Sequence, residues 1–246
     1  MAEGVADGVN SVNNFNGVAN YNNTMMTYHG QDDEVSTFQQ AAFLDFYGTE
    51  VYGDIAALYS EVNSTYNLTN PTKPSTILEA DYETFSYPDG LATPYRERLQ
   101  VWNVFFAGGA GYAYGHNSNY LPSQLPSSYL SSAGAQGMQV FATFMRARAW
   151  WKLVPDQSIV SNPGSGVSRK VAVRSTDGNE CLIYYPAVES VTINMGCITA
   201  TSSVAATWFD PRNGNTQGIG SFARTDVPTL TPPSGWEDAV LLLTAG

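Results

Sequence analysis

The stretch TILEADYETF, residues 76–85, sets a β-branched and aliphatic run, Thr76-Ile77-Leu78, directly before a carboxylate, Glu79, with Asp81, Tyr82 and Glu83 close behind. A strand that finishes in an acid has the pattern of a carboxyl end that opens into a site. A carboxylate held there on rigid backbone suits acid–base or nucleophilic work. The Tyr82 hydroxyl can orient a nucleophile, whereas Glu83 suits structural hydrogen bonding. His29 and His116 also end strand-like runs, where neutral imidazole exchanges hydrogen bonds readily with sugar hydroxyls. A satisfied structural histidine is the alternative for each.

Other chemistries lack their signatures. Two histidines without zinc-helix spacing or a cysteine cluster define no metal centre. In GGAGYAYG, residues 108–115, Tyr114 stands where the dinucleotide fingerprint needs its third glycine. No serine sits in GxSxG, so an esterase-type hydrolase has no support. Neither a cofactor nor a metal is expected. Asp45, Glu50 and Asp54 follow an apolar run and could be taken for a second catalytic acid, but an acid at a helix start more often serves capping or dipole complementarity, and they are read so.

The elements that must position these groups alternate up to about residue 155. TMMTYH (24–29), AAFLDFYG (41–48), PSTILEADYE (74–83) and GAGYAYGHN (109–117) read as strands. Residues 54–62, with Ile55, Leu58, Tyr59 and Val62, and residues 94–106, with Leu99, Trp102, Val104 and Phe106, carry helical spacing. The small residues of GGAGYAYG permit close packing, with Tyr112 and Tyr114 on one face and Ala113 on the other. A full (β/α)8 barrel takes about 250 residues, so this stretch holds about four units. The opening MAEGVADGVN, with Val5 and Val9 four apart, reads as the inside of a helix. The expectation is the C-terminal half of a TIM (β/α)8 barrel over residues 1–155. An intact small α/β domain of different topology is the alternative.

Residues 156–246 change to short strands divided by turn signals: SRKVAVRS, CLIYYPA, SVTINMG, AATWFD with the PRNGN turn, and DAVLLLT. Such alternation predicts an all-β sandwich. Cys181 and Cys197 fall within it and could face each other on neighbouring strands, as a disulfide or as two buried thiols. The Trp150-Trp151 pair at the boundary predicts a buried anchor between the two parts, with exposed sugar stacking as the alternative.

Composition narrows the partners. A net charge of −11, with 11 Lys plus Arg scattered singly, leaves no basic patch for nucleic acid. No apolar run approaches the roughly 20 residues of a membrane helix, so no membrane partner is expected. Fifteen Tyr and five Trp suit carbohydrate stacking, although an aromatic core serves equally. Sequons at Asn22, Asn63 and Asn67 permit glycosylation and point towards export.

Taken in order, MTYH, ILEADYE, VWNVFFAGGAGYAYGHN, ARAWWKLVPDQS, WFDPRNG and WEDAVLLL resemble the C-terminal part of the apiosidase-like glycoside hydrolases, whose barrel is followed by a β-sandwich with a collagen-binding label. The resemblance runs over most of the chain. It implies a secreted retaining glycosidase acting on polysaccharide side chains, with a polysaccharide or oligosaccharide as substrate. The resemblance implies two carboxyl groups across the sugar, one protonating the leaving oxygen and the other attacking the anomeric carbon when the pair lies about 5–5.5 Å apart. Glu79 matches the family's nucleophile, although Ala80 stands where proline usually follows. The implied substrate-binding residues are His29, Tyr82, Tyr114 and His116. The family's acid/base is implied on the fourth strand, upstream of Met1, which would leave the chain as given catalytically incomplete. Two other readings compete: a non-catalytic module that binds carbohydrate or protein, and an inert fragment whose half barrel exposes a sheet edge.

Overall fold

The computed structural model describes residues 25–29, 35, 39–119 and 127–246. The helix expected across MAEGVADGVN and the sequon at Asn22 lie outside the described residues. In chain order the first part contains β1 (Tyr47–Glu50), α1 (Leu58–Tyr66), β2 (Ser75–Glu79), β3 (Tyr82–Glu83), β4 (Ser86–Tyr87), β5 (Gly90–Leu91), α2 (Pro94–Phe106), β6 (Gly111–Tyr112), β7 (Gly115–His116) and α3 (Ala133–Arg146). Strands β1, β2 and β6 form a parallel sheet in the order β1-β2-β6. Beyond its carboxyl edge, β3 pairs in parallel with β7, and β4 with β5 makes a hairpin.

Local chemistry sets the helix starts. The Thr93 hydroxyl accepts from the Arg96 N–H at 3.3 Å and Pro94 follows at the first helical position, so α2 begins where its spacing predicts. Ser132 caps α3 in the same way, accepting from the Ala135 N–H at 3.2 Å. Helix α1 starts at Leu58 and not at Asp54, because the Asp54 carboxylate accepts from the Ala57 N–H and holds a separate turn ahead of it. The run 24–29 is no strand within residues 25–29. There the Asp45 carboxylate captures the Met26 N–H at 2.7 Å while the Asp45 N–H returns to the Met26 carbonyl. That exchange also delays β1 to Tyr47.

The second part carries β8 (Leu153–Pro155), β9 (Val171–Ser175), β10 (Glu180–Tyr185), β11 (Val191–Thr192), β12 (Ser203–Phe209), β13 (Thr216–Ala223), β14 (Thr229–Leu230) and β15 (Ala239–Ala245). Six of these form an antiparallel sheet in the order β13-β12-β15-β10-β9-β8, and β11 pairs with β14 as a separate ribbon. Period-two alternation buries both faces. Val171, Val173, Leu182, Tyr184 and Val240 join the cluster of α2 and α3. Ala172, Ile183, Tyr185, Val204 and Leu241 face the other way, into the cluster that includes Val191 of the ribbon and Ile159. The helices of the first part thus cover one face of the sheet, and the two-stranded ribbon with its loops covers the other.

Cys181 of β10 is disulfide-bonded to Cys197, with Cα atoms 6.5 Å apart. Cys197 lies on a 3₁₀ turn, Met195–Cys197, and not on an adjacent strand. The strand in SVTINMG stops after Thr192, and the Asn194 side chain then accepts from the Gly196 N–H and starts the turn.

The join between the two parts is a core. Trp102 is fully buried, stacks on Tyr184 with ring centroids 5.7 Å apart, and meets Phe141 and Phe144 edge-on. The Tyr95 hydroxyl donates to the Pro186 carbonyl at 2.7 Å. The tryptophan pair expected to be buried there divides: Trp150 packs against Phe105, and Trp151 is 70% exposed. A short 3₁₀ turn, Trp150–Lys152, sends the two rings in different directions. Among the described residues no helix is long and apolar enough to cross a membrane.

Candidate active site

Strands β1 and β2 end level with each other, Glu50 opposite Glu79, after a register shift between Thr49 and Glu50. This brings two carboxylates to one edge of the parallel sheet. His29 Nε2 lies 2.8 Å from Glu50 Oε1 and 3.3 Å from Glu79 Oε2. The Tyr82 hydroxyl donates to Glu79 Oε1 in a short contact. Burial first, and then the neighbouring Glu79 and Glu50 carboxylates, raise the pKa of Tyr52, just past the end of β1, far above the ordinary phenol value.

Glu79 and Tyr82 open onto a cleft of about 360 Å³, lined also by Tyr114, Ala113, Ala80 and Gly115. Gly115 explains part of the GYAYG motif. A Cβ there would stand 2.5 Å from the Tyr82 ring, so only glycine lets that ring lie against β7.

The sequence-expected residues divide. Glu79, Tyr82 and His29 come together. Tyr114 lines the cleft with its ring, but its hydroxyl contacts Glu83 and lies 2.9 Å from Ser132 Oγ. Burial and then Glu83 raise its pKa well above the phenol's usual value. Glu83 is itself buried, accepting from the Ser132 hydroxyl at 2.6 Å and the Gly134 N–H at 3.0 Å, which fixes the start of α3. His116 does not join the cleft lining. It is buried, and its Nδ1 accepts from the Ser118 N–H at 3.0 Å. Register gives the reason: Tyr82 pairs with Gly115 and Glu83 with His116, so alternation turns His116 to the side opposite Tyr82.

Tyr112 and Tyr114 do not share a face either. The strand breaks between β6 and β7, alternation does not carry across the break, and Tyr112 donates to Glu97 of α2 at 3.1 Å. Glu97 is fully buried, and burial pushes its pKa up to about 9.

Two site residues escaped the reading of the sequence. Glu50 ends β1 and caps no helix. Tyr52 was passed over. The alternation of Gly48, Glu50 and Tyr52 in YGTEVYG carried the signal, since period-two spacing puts all three on one side of an extended run. Behind them, Asp81 ties the loops together. Its Oδ1 accepts from the Gly53 N–H at 2.8 Å, its Oδ2 accepts from Arg96 Nε at 2.5 Å, and Arg96 continues to Asp89 at 2.7 Å. Gly53 has φ +61°, and a Cβ there would come within 3.3 Å of Pro88, so glycine lets the tail of β1 approach the β4–β5 hairpin. His29, Glu50 and Glu79 are close enough to offer one ligand atom each to a metal ion. Their atoms are already engaged with one another and with Tyr82.

A carboxylate braced by a phenol and an imidazole at the end of a parallel strand, beside a cleft, is an arrangement suited to attack on an electrophilic carbon. Comparison with known proteins agrees in class. Residues 1–152 match the family model described as "Apiosidase-like, catalytic domain", and residues 154–244 match "Putative collagen-binding domain of a collagenase". A solved structure titled "Glycoside hydrolase" is 22% identical with a TM-score of 0.81, over 91% of this chain and 58% of that one. A glycoside hydrolase family 5 structure from Bacteroides vulgatus is 22% identical with a TM-score of 0.79, over 89% of this chain and 55% of that one. The chain thus spans little more than half the length of these structures. Among curated proteins none matches it. With the catalytic-domain model covering well over half of its residues, the chain belongs to the apiosidase-like glycoside hydrolase family.

Proposed function

We propose that the chain supplies the nucleophile of a retaining glycosidase, and that this nucleophile is Glu79. The observation that carries the reading is the pair of contacts that fixes Glu79 at the carboxyl end of β2: the Tyr82 hydroxyl donates to Oε1, and His29 Nε2 lies 3.3 Å from Oε2. The Tyr82 phenol holds the carboxylate in one rotamer and stabilises the charge that returns to it when the glycosyl–enzyme ester breaks. In the first step a carboxylate oxygen of Glu79 attacks the anomeric carbon, and the bond to the leaving oxygen breaks. In the second step water displaces Glu79 and restores the carboxylate. His29, held by Glu50, stands beside Glu79 Oε2 to bind a sugar hydroxyl.

The leaving oxygen needs a proton. Among the described residues the nearby carboxylates are committed: Glu50 to His29, and Glu83 to Ser132 and Gly134. The proton donor in this reading comes from outside the described residues. The parallel order β1-β2-β6 and the similarity to longer glycoside hydrolases support placing these strands in the C-terminal half of a (β/α)8 barrel, followed by a sandwich-like β-domain. The substrate would be a polysaccharide side chain, with an apiosyl residue suggested by the family. The Cys181–Cys197 disulfide supports an exported protein.

The test is covalent trapping. A 2-deoxy-2-fluoro aryl glycoside with an activated leaving group should leave a glycosyl adduct on the peptide containing Glu79, read by mass spectrometry. An adduct on another carboxylate, or an unlabelled chain that still turns the substrate over, overturns the assignment.

A further inference from the structure

Beside the proposed nucleophile stands a group of aromatic side chains that the hydrolytic step does not use. Tyr52 stacks on Tyr87 with centroids 6.5 Å apart and an interplanar angle of 16°, and Tyr87 meets Phe85 at 4.9 Å. Phe85 is 45% exposed and Tyr52 is 37% exposed. The group is rigid. Thr84 takes φ +70°, a conformation that a β-branched residue adopts only when its surroundings impose it. The Thr84 N–H donates to the Ala92 carbonyl at 2.8 Å, and the Ala92 N–H donates to the Phe85 carbonyl at 2.9 Å. From below, the Tyr87 hydroxyl accepts from the Tyr82 N–H at 2.8 Å, and the Arg96 guanidinium lies 5.7 Å from the Tyr87 ring centre. Phe85 is therefore held outward by backbone that gains nothing for the core from its exposure.

We propose that Phe85, Tyr87 and Tyr52 form a glycan subsite that stacks a neutral sugar ring of the substrate chain next to the residue being cleaved. This inference rests on the reading of Glu79 as nucleophile, since the subsite is defined by continuity with it: the Tyr87 hydroxyl accepts from the Tyr82 N–H, the Tyr82 hydroxyl donates to Glu79, and the Tyr87 ring stacks on Tyr52. Three rings are far too few for a stable protein interface, which takes roughly 800 Å² from each partner. They match the flat apolar face of one or two sugars, whose hydroxyls stay in water at the rim. A neutral chain fits better than an acidic one, because Glu50 and Glu79 stand at one end of the platform and the whole chain carries a net charge of −11.

The experiment is isothermal titration of the chain with a ladder from xylose to xylohexaose. Affinity should rise with chain length in the wild type. Phe85→Ala should weaken the longer members by about tenfold, as expected for one lost aromatic contact, and leave xylose unchanged. Phe85→Tyr should restore the length dependence. Phe85→Leu keeps the bulk without a ring and should behave as Phe85→Ala, which separates stacking from folding. No length dependence in the wild type, or affinities in Phe85→Ala that match the wild type along the whole ladder, overturns the proposal. The two readings fail separately. Phe85-dependent binding without a glycosyl adduct on Glu79 sinks the nucleophile and leaves the subsite standing, and an adduct without length dependence does the reverse.

Discussion

The guanidinium of Arg98 grips both carboxylate oxygens of Asp238, with Nε 2.9 Å from Oδ2 and Nη2 2.9 Å from Oδ1, across 140 positions of sequence. Asp238 is fully buried and also accepts from the Tyr184 hydroxyl at 3.0 Å. Removing one partner of such a pair leaves a bare charge in the core, at a cost of about 3–5 kcal/mol. Arg98→Met should therefore lower unfolding free energy by that amount in urea titrations. The double variant Arg98→Met/Asp238→Leu should recover much of the loss. A double variant no more stable than the single one would show that the pair's hydrogen bonds, and not the desolvated charge, dominate.

Glu79 depends on the Tyr82 phenol. Tyr82→Phe removes that donor while keeping the ring, and should reduce kcat/KM on an activated aryl glycoside by about 10- to 100-fold, on the scale of a lost hydrogen bond to a charged group. Equal rates in Tyr82→Phe and wild type would remove Tyr82 from the machinery.

Glu97 makes stability depend on pH. Its folded pKa is about 9, above the ordinary carboxyl value, because burial disfavours the charged form. Between roughly pH 4.5 and 9 the folded state thus holds a proton that the unfolded state has lost, and this group's contribution falls as pH rises through that window. Glu97→Gln keeps an acceptor for Tyr112 and removes the titration. Its stability relative to wild type should rise from pH 5 to pH 9 by a few kcal/mol, read from melting curves at each pH. A constant difference would mean that Glu97 ionises normally in the fold.

The disulfide closes a loop with a sequence separation of 16. Chain-entropy arguments put such a crosslink at about 3 kcal/mol. Cys181→Ala/Cys197→Ala should show a loss of that order, and a reductant should lower the melting temperature of the wild type but not of the variant.

Helix α2 was legible from sequence because its cap, its N1 proline and its apolar spacing all agree. The strand ending in Glu79 was legible for a similar reason, a short apolar run closed by an acid. Helix α3 was missed. Gly134, Gly137 and the serines before it lower local propensity, and tertiary packing of Phe141, Phe144 and Met145 outweighs that cost. Strand β13 was missed as well: TQGIGSFA is an exposed edge with two glycines and little alternation to read. At the site, His116 could not be separated from His29 by position in an apolar run, since only the register with β3 decides which way each ring points. Glu50 was misassigned because a register shift at Thr49 carries β1 further than its apolar residues do.

The two family matches meet between residues 152 and 154, which invites treating the sheet as a cassette. The stack of Trp102 on Tyr184 argues against that use. A chain cut at residue 153 would leave two halves of one core, each with a wet aromatic face. A graft of the β-rich half onto another enzyme would need a new partner for Tyr184, Val171 and Val240 before it could stay soluble. The seam in the sequence marks an inherited boundary of modules, and the mechanical joint of the protein runs straight through it.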